Sequence, residues 1–366
     1  RQRSEKSFNN IFAGAAVKNN GSVVTWGGNE SSDNCGQDIS KVKDKLQNVD
    51  HIIPSEYGFA ALKKDGSVVA WGLSYYYIPE NLKNKLSSGV KSIYSTVNTF
   101  IAEKENTLIW WGQKGSGELE GKFEKISFIA DTFAAINQNG EVVIQSFDNR
   151  KINTDTSAIN KTYIDVFQGY LGLEPDGTLT KLVKDEGTTF SDKAKEILKI
   201  GVKKYSNVNS VITALLKDGS IFFQHGKDEP VHHKFSTLKY KFKDFFSVPG
   251  EGYSYLLTED NTLYRQRGTK YQKVLENVED VLCKGGTHSA FTTDGSIFNI
   301  SSGGSSKVYS KNDYSGTIIE KRSNSVHNAF LTSTGQVKSW GIQSAKGNGA
   351  GKEIIFSDVA NNLSSE

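Results

Sequence analysis

Short apolar runs alternate with tight polar turns along this chain, and the alternation repeats. It is clearest in residues 59–72, FAALKKDGSVVAWG, where one apolar run enters an Asp-Gly pair and another leaves it. Nine turn pairs of this kind mark the chain: Asn20-Gly21, Asp65-Gly66, Glu105-Asn106, Asn139-Gly140, Asp176-Gly177, Asp218-Gly219, Asp260-Asn261, Asp294-Gly295 and Thr334-Gly335, spaced 34 to 45 residues apart. Asn-Gly and Asp-Gly reach the positive φ of a two-residue hairpin turn at low steric cost, so each unit reads as a β-hairpin. The position four before the turn's second residue is apolar in every copy, from Val17 and Leu62 to Phe291 and Leu331. The position two after it is aliphatic in every copy, from Val23 and Val68 to Ile297 and Val337. A register held over nine copies and rich in β-branched residues argues for repeated antiparallel sheet and against helix.

Upstream of most hairpins lies another short run containing apolar residues, such as VDHII at 49–53, VKSIY at 90–94, ISFI at 126–129 and VEDVL at 278–282. With a further strand from the variable linker, a unit of about 40 residues holds about four strands, the size of a propeller blade. The expected fold class is therefore all-β: a β-propeller of about four-stranded antiparallel blades, nine units by count and seven to nine blades, forming a single domain over residues 1–366. Blades need cover on both faces, which accounts for unbroken runs such as Ile221-Phe222-Phe223 and places the pairs Ala60-Ala61 and Ala134-Ala135 where sheets converge. The first hairpin, at 11–26, has little room for a leading strand, and the run IIFSDV at 354–359 reads as the strand that would close the ring beside it.

Five residues beyond the turn stand Trp26-Gly27, Trp71-Gly72, Trp111-Gly112 and Trp340-Gly341. With the A-L-x-x-D-G-x-V pattern before them, the chain resembles the regulator of chromosome condensation repeat family of β-propellers. The motif is clear in units one, two, three and nine, whereas units four to eight carry Gln145, Leu182, Gln224, Gln266 and Ile300 at the tryptophan position. The family includes an exchange factor for a small GTPase, ubiquitin-ligase and signalling scaffolds, and a secreted inhibitor of β-lactamase. Its members share a ring and not a chemistry, so the resemblance implies a fold and leaves function open.

Composition narrows the field. A formal net charge of +3 in 366 residues is too small to imply a nucleic-acid partner, and no apolar run approaches the length of a membrane span. The richest basic stretch, Lys239-Tyr240-Lys241-Phe242-Lys243, alternates as a strand with one solvated face does, with an RNA-stacking patch as the other reading. The chain has no methionine, which points to a fragment or a processed form. Sequons at Asn20, Asn29, Asn160, Asn299 and Asn362 admit glycosylation, and with them the expected location is secreted or at the cell surface. Cys35 and Cys283 are free thiols or a single bridge.

Candidate chemistry is sparse. The sequence lacks H-E-x-x-H, paired C-x-x-C and G-x-S-x-G motifs, and no catalytic, cofactor or metal residues are expected. The stretch 347–352, GNGAGK, differs from a phosphate loop at Lys346 and Glu353 and reads as a flexible loop. His225, His232 and His233 lie close in sequence, but adjacent strand residues point to opposite faces and do not favour a common metal. Asp33-Asn34-Cys35-Gly36-Gln37 resembles the family's G-Q turn and reads as structural. What remains is surface: Tyr75, Tyr76 and Tyr77, following Trp71-Gly72, are candidate interface anchors, with strand packing as the alternative. The expectation is a non-enzymatic protein–protein interaction propeller that binds a protein partner or copies of itself. The alternatives, from the resemblance, are a regulator of a small GTPase by nucleotide exchange and a proteinaceous hydrolase inhibitor.

Overall fold

A computed structural model describes residues 13–18, 20–27, 35–129, 131–184, 190–208, 210–234, 241–248, 250–323 and 327–341. Nine antiparallel sheets follow one another along these residues, at 13–27, 49–72, 92–120, 125–146, 165–181, 202–233, 242–275, 278–309 and 318–341. In every sheet the strands pair in sequence order. The first has two strands; the third, sixth, seventh and eighth have four, and the others have three. Each of the nine Asx-Gly-type turns joins the two strands on which the sequence register was read, for example Leu62 opposite Val68 and Leu331 opposite Val337. The expected leading strands are present at Val49–Ser55, Ser92–Ser95, Lys125–Ile129 and Val278–Leu282. Among the described residues the linker supplies a fourth strand in four sheets; in the second its place is taken by a 3-10 turn, Ser74–Tyr76. The run at 354–359 expected to close a ring lies outside the described residues, as does the glycine-rich loop at 347–352.

The chain gathers into two compact units. One comprises Arg1–Lys122, Lys284–Thr287 and Lys311–Glu366; the other comprises Phe123–Cys283 and His288–Ser310. Within each, the core lies between successive sheets, and the middle strands serve two cores at once. In Gly58–Lys63, Ala60 and Leu62 face the third sheet's Phe100 and Trp111, while Phe59 and Ala61 face Ala13 and Ala15 of the first. In the second unit Ala214, Leu216 and Phe222 pack towards the fifth sheet, whereas Leu215, Ile221 and Phe223 pack towards the seventh. A strand buried on both faces cannot show a polar alternation, which is why these runs are continuously apolar. Antiparallel sheets of this size, stacked face to face on their neighbours within each unit, are β-propeller blades, and the fold class is all-β of that type.

The turns do more than reverse the chain. The carbonyl of the turn's second residue accepts a hydrogen bond from the backbone N–H that leads into the next sheet: Val49 to Gly21 at 2.9 Å, Val90 to Gly66 at 3.0 Å, Tyr163 to Gly140 at 2.8 Å, Phe242 to Gly219 at 3.0 Å and Val278 to Asn261 at 2.8 Å. One end of each of these blades is thereby tied to its successor. The turns are themselves braced, since the Asp65 carboxylate accepts from the N–H and hydroxyl of Ser67 at 2.9 and 2.6 Å. Asp176 accepts from the N–H of Thr178 at 2.9 Å, and Asp294 accepts from the Thr292 hydroxyl and the Ser296 N–H.

These bonds hold the carboxyls of Asp65, Asp176 and Asp294 below the usual aspartate range, because the donors favour the ionised form. A folded-state pKa below the unfolded one adds stability that is present above the unfolded value, about 3.9, and is lost as pH falls through the folded value. Thermal melting is therefore expected to decline from about pH 4 downwards. Asp65→Asn keeps an acceptor but cannot titrate, so its deficit against wild type should shrink in acid. A deficit that stays constant across that window would remove the turn carboxylates as its source.

Candidate functional site

At the blade end opposite the Asp65-Gly66 turn, the chain leaves Val68–Gly72 and enters the tyrosine triplet. The indole Nε1 of Trp71 donates to the carbonyl of Gly36 at 2.9 Å, and that of Trp111, one blade on, donates to the carbonyl of Tyr76 at 2.8 Å. Each tryptophan thus pins the linker that precedes its own sheet. The Gly36-Gln37 turn is structural as expected, with the Thr25 hydroxyl donating to the Gln37 carbonyl at 2.7 Å and the Cys35 N–H to its side chain at 2.8 Å.

Tyr76 is fully buried, its ring tilted against that of Phe100 at 5.3 Å, with its hydroxyl 2.9 Å from Ser55 Oγ and 3.0 Å from the Val97 carbonyl. Burial raises its phenol pKa well above the ordinary value, so it stays a neutral donor. As an interface anchor Tyr76 is therefore corrected: it is a core residue. The 3-10 geometry turns it inward and leaves Tyr75 and Tyr77 half-buried on either side. Gly58 makes room for this arrangement, since a Cβ there would lie 2.5 Å from the Trp71 carbonyl and 2.6 Å from the Tyr76 ring. Tyr57 packs beside Tyr75, and Val97, whose carbonyl holds the Tyr76 hydroxyl, is 62% exposed. The Lys41 ammonium sits 5.3 Å from the Tyr77 ring. The result is an aromatic patch of Tyr57, Tyr75 and Tyr77 with Val97, standing on a rigid, hydrogen-bonded base. Val97 has no signal in the sequence, because a lone valine in the turn between two strands looks like any other strand residue.

The second unit carries a different feature at the corresponding blade end. A cleft of about 220 Å³ is lined by Val208, Val211, His225, Gly250, Gly252 and Tyr253, among others. Tyr253 lies beside Arg265 and Arg267, whose guanidiniums are 5.5 and 5.6 Å from its ring. Its hydroxyl is 3.3 Å from His288 Nδ1, which also lies 2.8 Å from the hydroxyl of buried Tyr255. Sequence reasoning passed over this cluster because Tyr264-Arg265-Gln266-Arg267 alternates like any half-solvated strand.

The remaining candidates disperse. His225 is exposed beside Asp228 at 3.5 Å, His232 bonds Ser220 Oγ at 2.8 Å, and His233 bonds the Gly268 carbonyl at 3.1 Å between the rings of Phe223 and Tyr271. Among the described residues no group of three or more His, Cys, Asp and Glu is placed to hold a metal ion. Cys35 and Cys283 are both buried and neither is in a disulfide, which removes the single bridge; burial pushes the Cys283 thiol up to about 12. Asn20 and Asn160 are exposed, Asn299 is half-buried and accepts a hydrogen bond from Ser289, and Asn29 and Asn362 lie outside the described residues. Phe242 is buried between exposed Lys241 and Lys243, the alternation of a half-solvated strand, while Lys239 and Tyr240 are not described. Among the described residues no helix is long and apolar enough to cross a membrane.

No known family profile matches the chain, and no curated protein matches it. Among solved structures it is similar to the computationally designed Ika8 protein, with 10% identity over 93% of this chain and 98% of that one and a TM-score of 0.44. It is also similar to Prp20p of Saccharomyces cerevisiae, with 11% identity over 92% and 82% and a TM-score of 0.35. Hsv2 of Kluyvelomyces marxianus shares 11% identity over 66% and 88% with a TM-score of 0.40. These likenesses are too distant to bring a function to this chain.

Proposed function

We propose that the chain is a non-enzymatic protein–protein interaction module, a propeller of the regulator of chromosome condensation repeat type, that uses the patch of Tyr57, Tyr75, Tyr77 and Val97 to self-associate. The observation that carries this reading is Val97, an aliphatic side chain 62% exposed and held by its own carbonyl against the buried Tyr76. Tyrosines fixed on a rigid base lose little entropy on binding, which makes half-buried aromatics effective anchors. The family assignment is supported by the Trp-Gly pairs at Trp71 and Trp111, which perform the same structural task one blade apart.

Light scattering over a concentration series is the test. The apparent mass of the wild type should rise with concentration, and Tyr75→Ala with Tyr77→Ala should abolish the rise while leaving the melting temperature within a few degrees, as expected for half-exposed positions. A strict monomer at every concentration would sink self-association. Parallel loss of association and of thermal stability would return both tyrosines to the core.

A further inference from the structure

We infer that Arg265 and Arg267, set against the ring of Tyr253 beside the cleft of the second unit, bind the carboxylates of an acidic segment of a partner protein, with Tyr253 forming the wall they share with the cleft. Among the described residues no carboxylate comes within ion-pair distance of either guanidinium. Arg267 donates only to the Glu251 carbonyl, at 3.1 Å, and Arg265 has no hydrogen-bond acceptor there at all although it is half-buried. The nearby Asp228 is engaged with His225 instead. A guanidinium carries five donors in a planar fork, so one held part-way out of water against an aromatic ring, without an acceptor, is short of the partner its geometry fits.

The position of the pair is set by the sheet. Arg265 stands opposite Tyr255 and Arg267 opposite Lys270, so the strand register adds a third positive charge at the same edge. Tyr253 is steadied by His288, which is anchored in turn by buried Tyr255, and the wall is therefore preorganised. Val208 and Val211 add an apolar lining suited to one aliphatic side chain between carboxylates. At about 220 Å³ the cleft is smaller than a typical small-molecule site and suits one or two side chains. Nucleic acid is the weaker fit, because its affinity comes from many phosphate contacts along a track and this edge offers three cations.

The inference rests on the interaction reading only in taking a protein as the partner, and its surface is separate from the tyrosine patch. The test uses a fluorescein-labelled Glu-Glu-Leu-Glu-Glu peptide and its Gln-Gln-Leu-Gln-Gln counterpart, followed by anisotropy on the full chain. The acidic peptide should bind more tightly than the glutamine peptide and weaken with added salt. Arg265→Gln with Arg267→Gln should weaken it about tenfold or more without lowering the melting temperature, the range expected for lost charge-assisted bonds. Tyr75→Ala with Tyr77→Ala should leave peptide binding unchanged, so that failure at one surface is told from failure at the other. Equal binding of the two peptides, or indifference to the arginine substitutions in a folded variant, would overturn the inference. Tighter binding of a single-stranded oligonucleotide of equal charge, lost in the same variant, would overturn it in favour of nucleic acid.

Discussion

Replacing Trp111 with alanine is expected to destabilise the protein by about 3–5 kcal/mol, the range for emptying a fully buried tryptophan site. The side chain is completely buried, packs at 5.7 Å from Phe100, and is the donor that holds the Tyr76 carbonyl. Its removal opens a cavity between the second and third sheets and strips a buried carbonyl of its partner at the same time. Trp111→Phe separates the two contributions, because it refills much of the space but cannot donate. Its cost should fall to about 1–3 kcal/mol, that of an unsatisfied buried polar group. Urea unfolding monitored by circular dichroism reads both. If the alanine variant loses less than about 1 kcal/mol, well below the expected range, the indole is not what ties the tyrosine turn to the blade.

A second large loss is expected from Gly66→Val. Gly66 sits at φ +82°, and a Cβ there would lie 2.8 Å from the backbone nitrogen of Gly89. Valine in that region costs about 1–3 kcal/mol in backbone strain alone. The clash also pushes apart the turn and the incoming chain, threatening the Val90 N–H bond to the Gly66 carbonyl, which is worth roughly a further 0.5–1.5 kcal/mol. Gly252 provides the control, since its φ is +66° but a Cβ would meet nothing within 4 Å. The excess of Gly66→Val over Gly252→Val therefore measures the tie between successive sheets. Equal melting temperatures for the two variants would show that the tie contributes nothing.

These two substitutions act on features of different legibility. The turn at Gly66 was readable because positive φ restricts residue choice so tightly that the requirement is written into the chain at each repeat. The apolar positions flanking it were readable for a similar reason, since a strand that serves two cores tolerates little else. The tryptophan position is a subtler case. Leu182, Gln224, Gln266 and Ile300 depart from the motif, yet all four are buried as Trp71 and Trp111 are. Gln224 and Gln266 settle there by donating to the carbonyls of Gly226 and Gly268, two residues further on. A polar residue in a motif position looked like loss of the repeat, and a local hydrogen bond supplied what the sequence pattern could not express.

The sequence by itself determined the all-β class, the number and place of the hairpins, and which strand positions are buried, because turn chemistry and side-chain periodicity are local constraints. Only the tertiary structure decided what three consecutive tyrosines do. A 3-10 turn and the Trp111 donor send Tyr76 into the core and keep Tyr75 and Tyr77 at the surface. It also decided that Arg265 and Arg267 stand at Tyr253, because strand register and the turn after Phe242–Ser247 bring them together. The placement of Tyr76 depends on packing between successive blades, and no local pattern of residues encodes it; the arginines share a hairpin with Tyr253, but their closing on its ring is set by side-chain packing and not by the strand pattern.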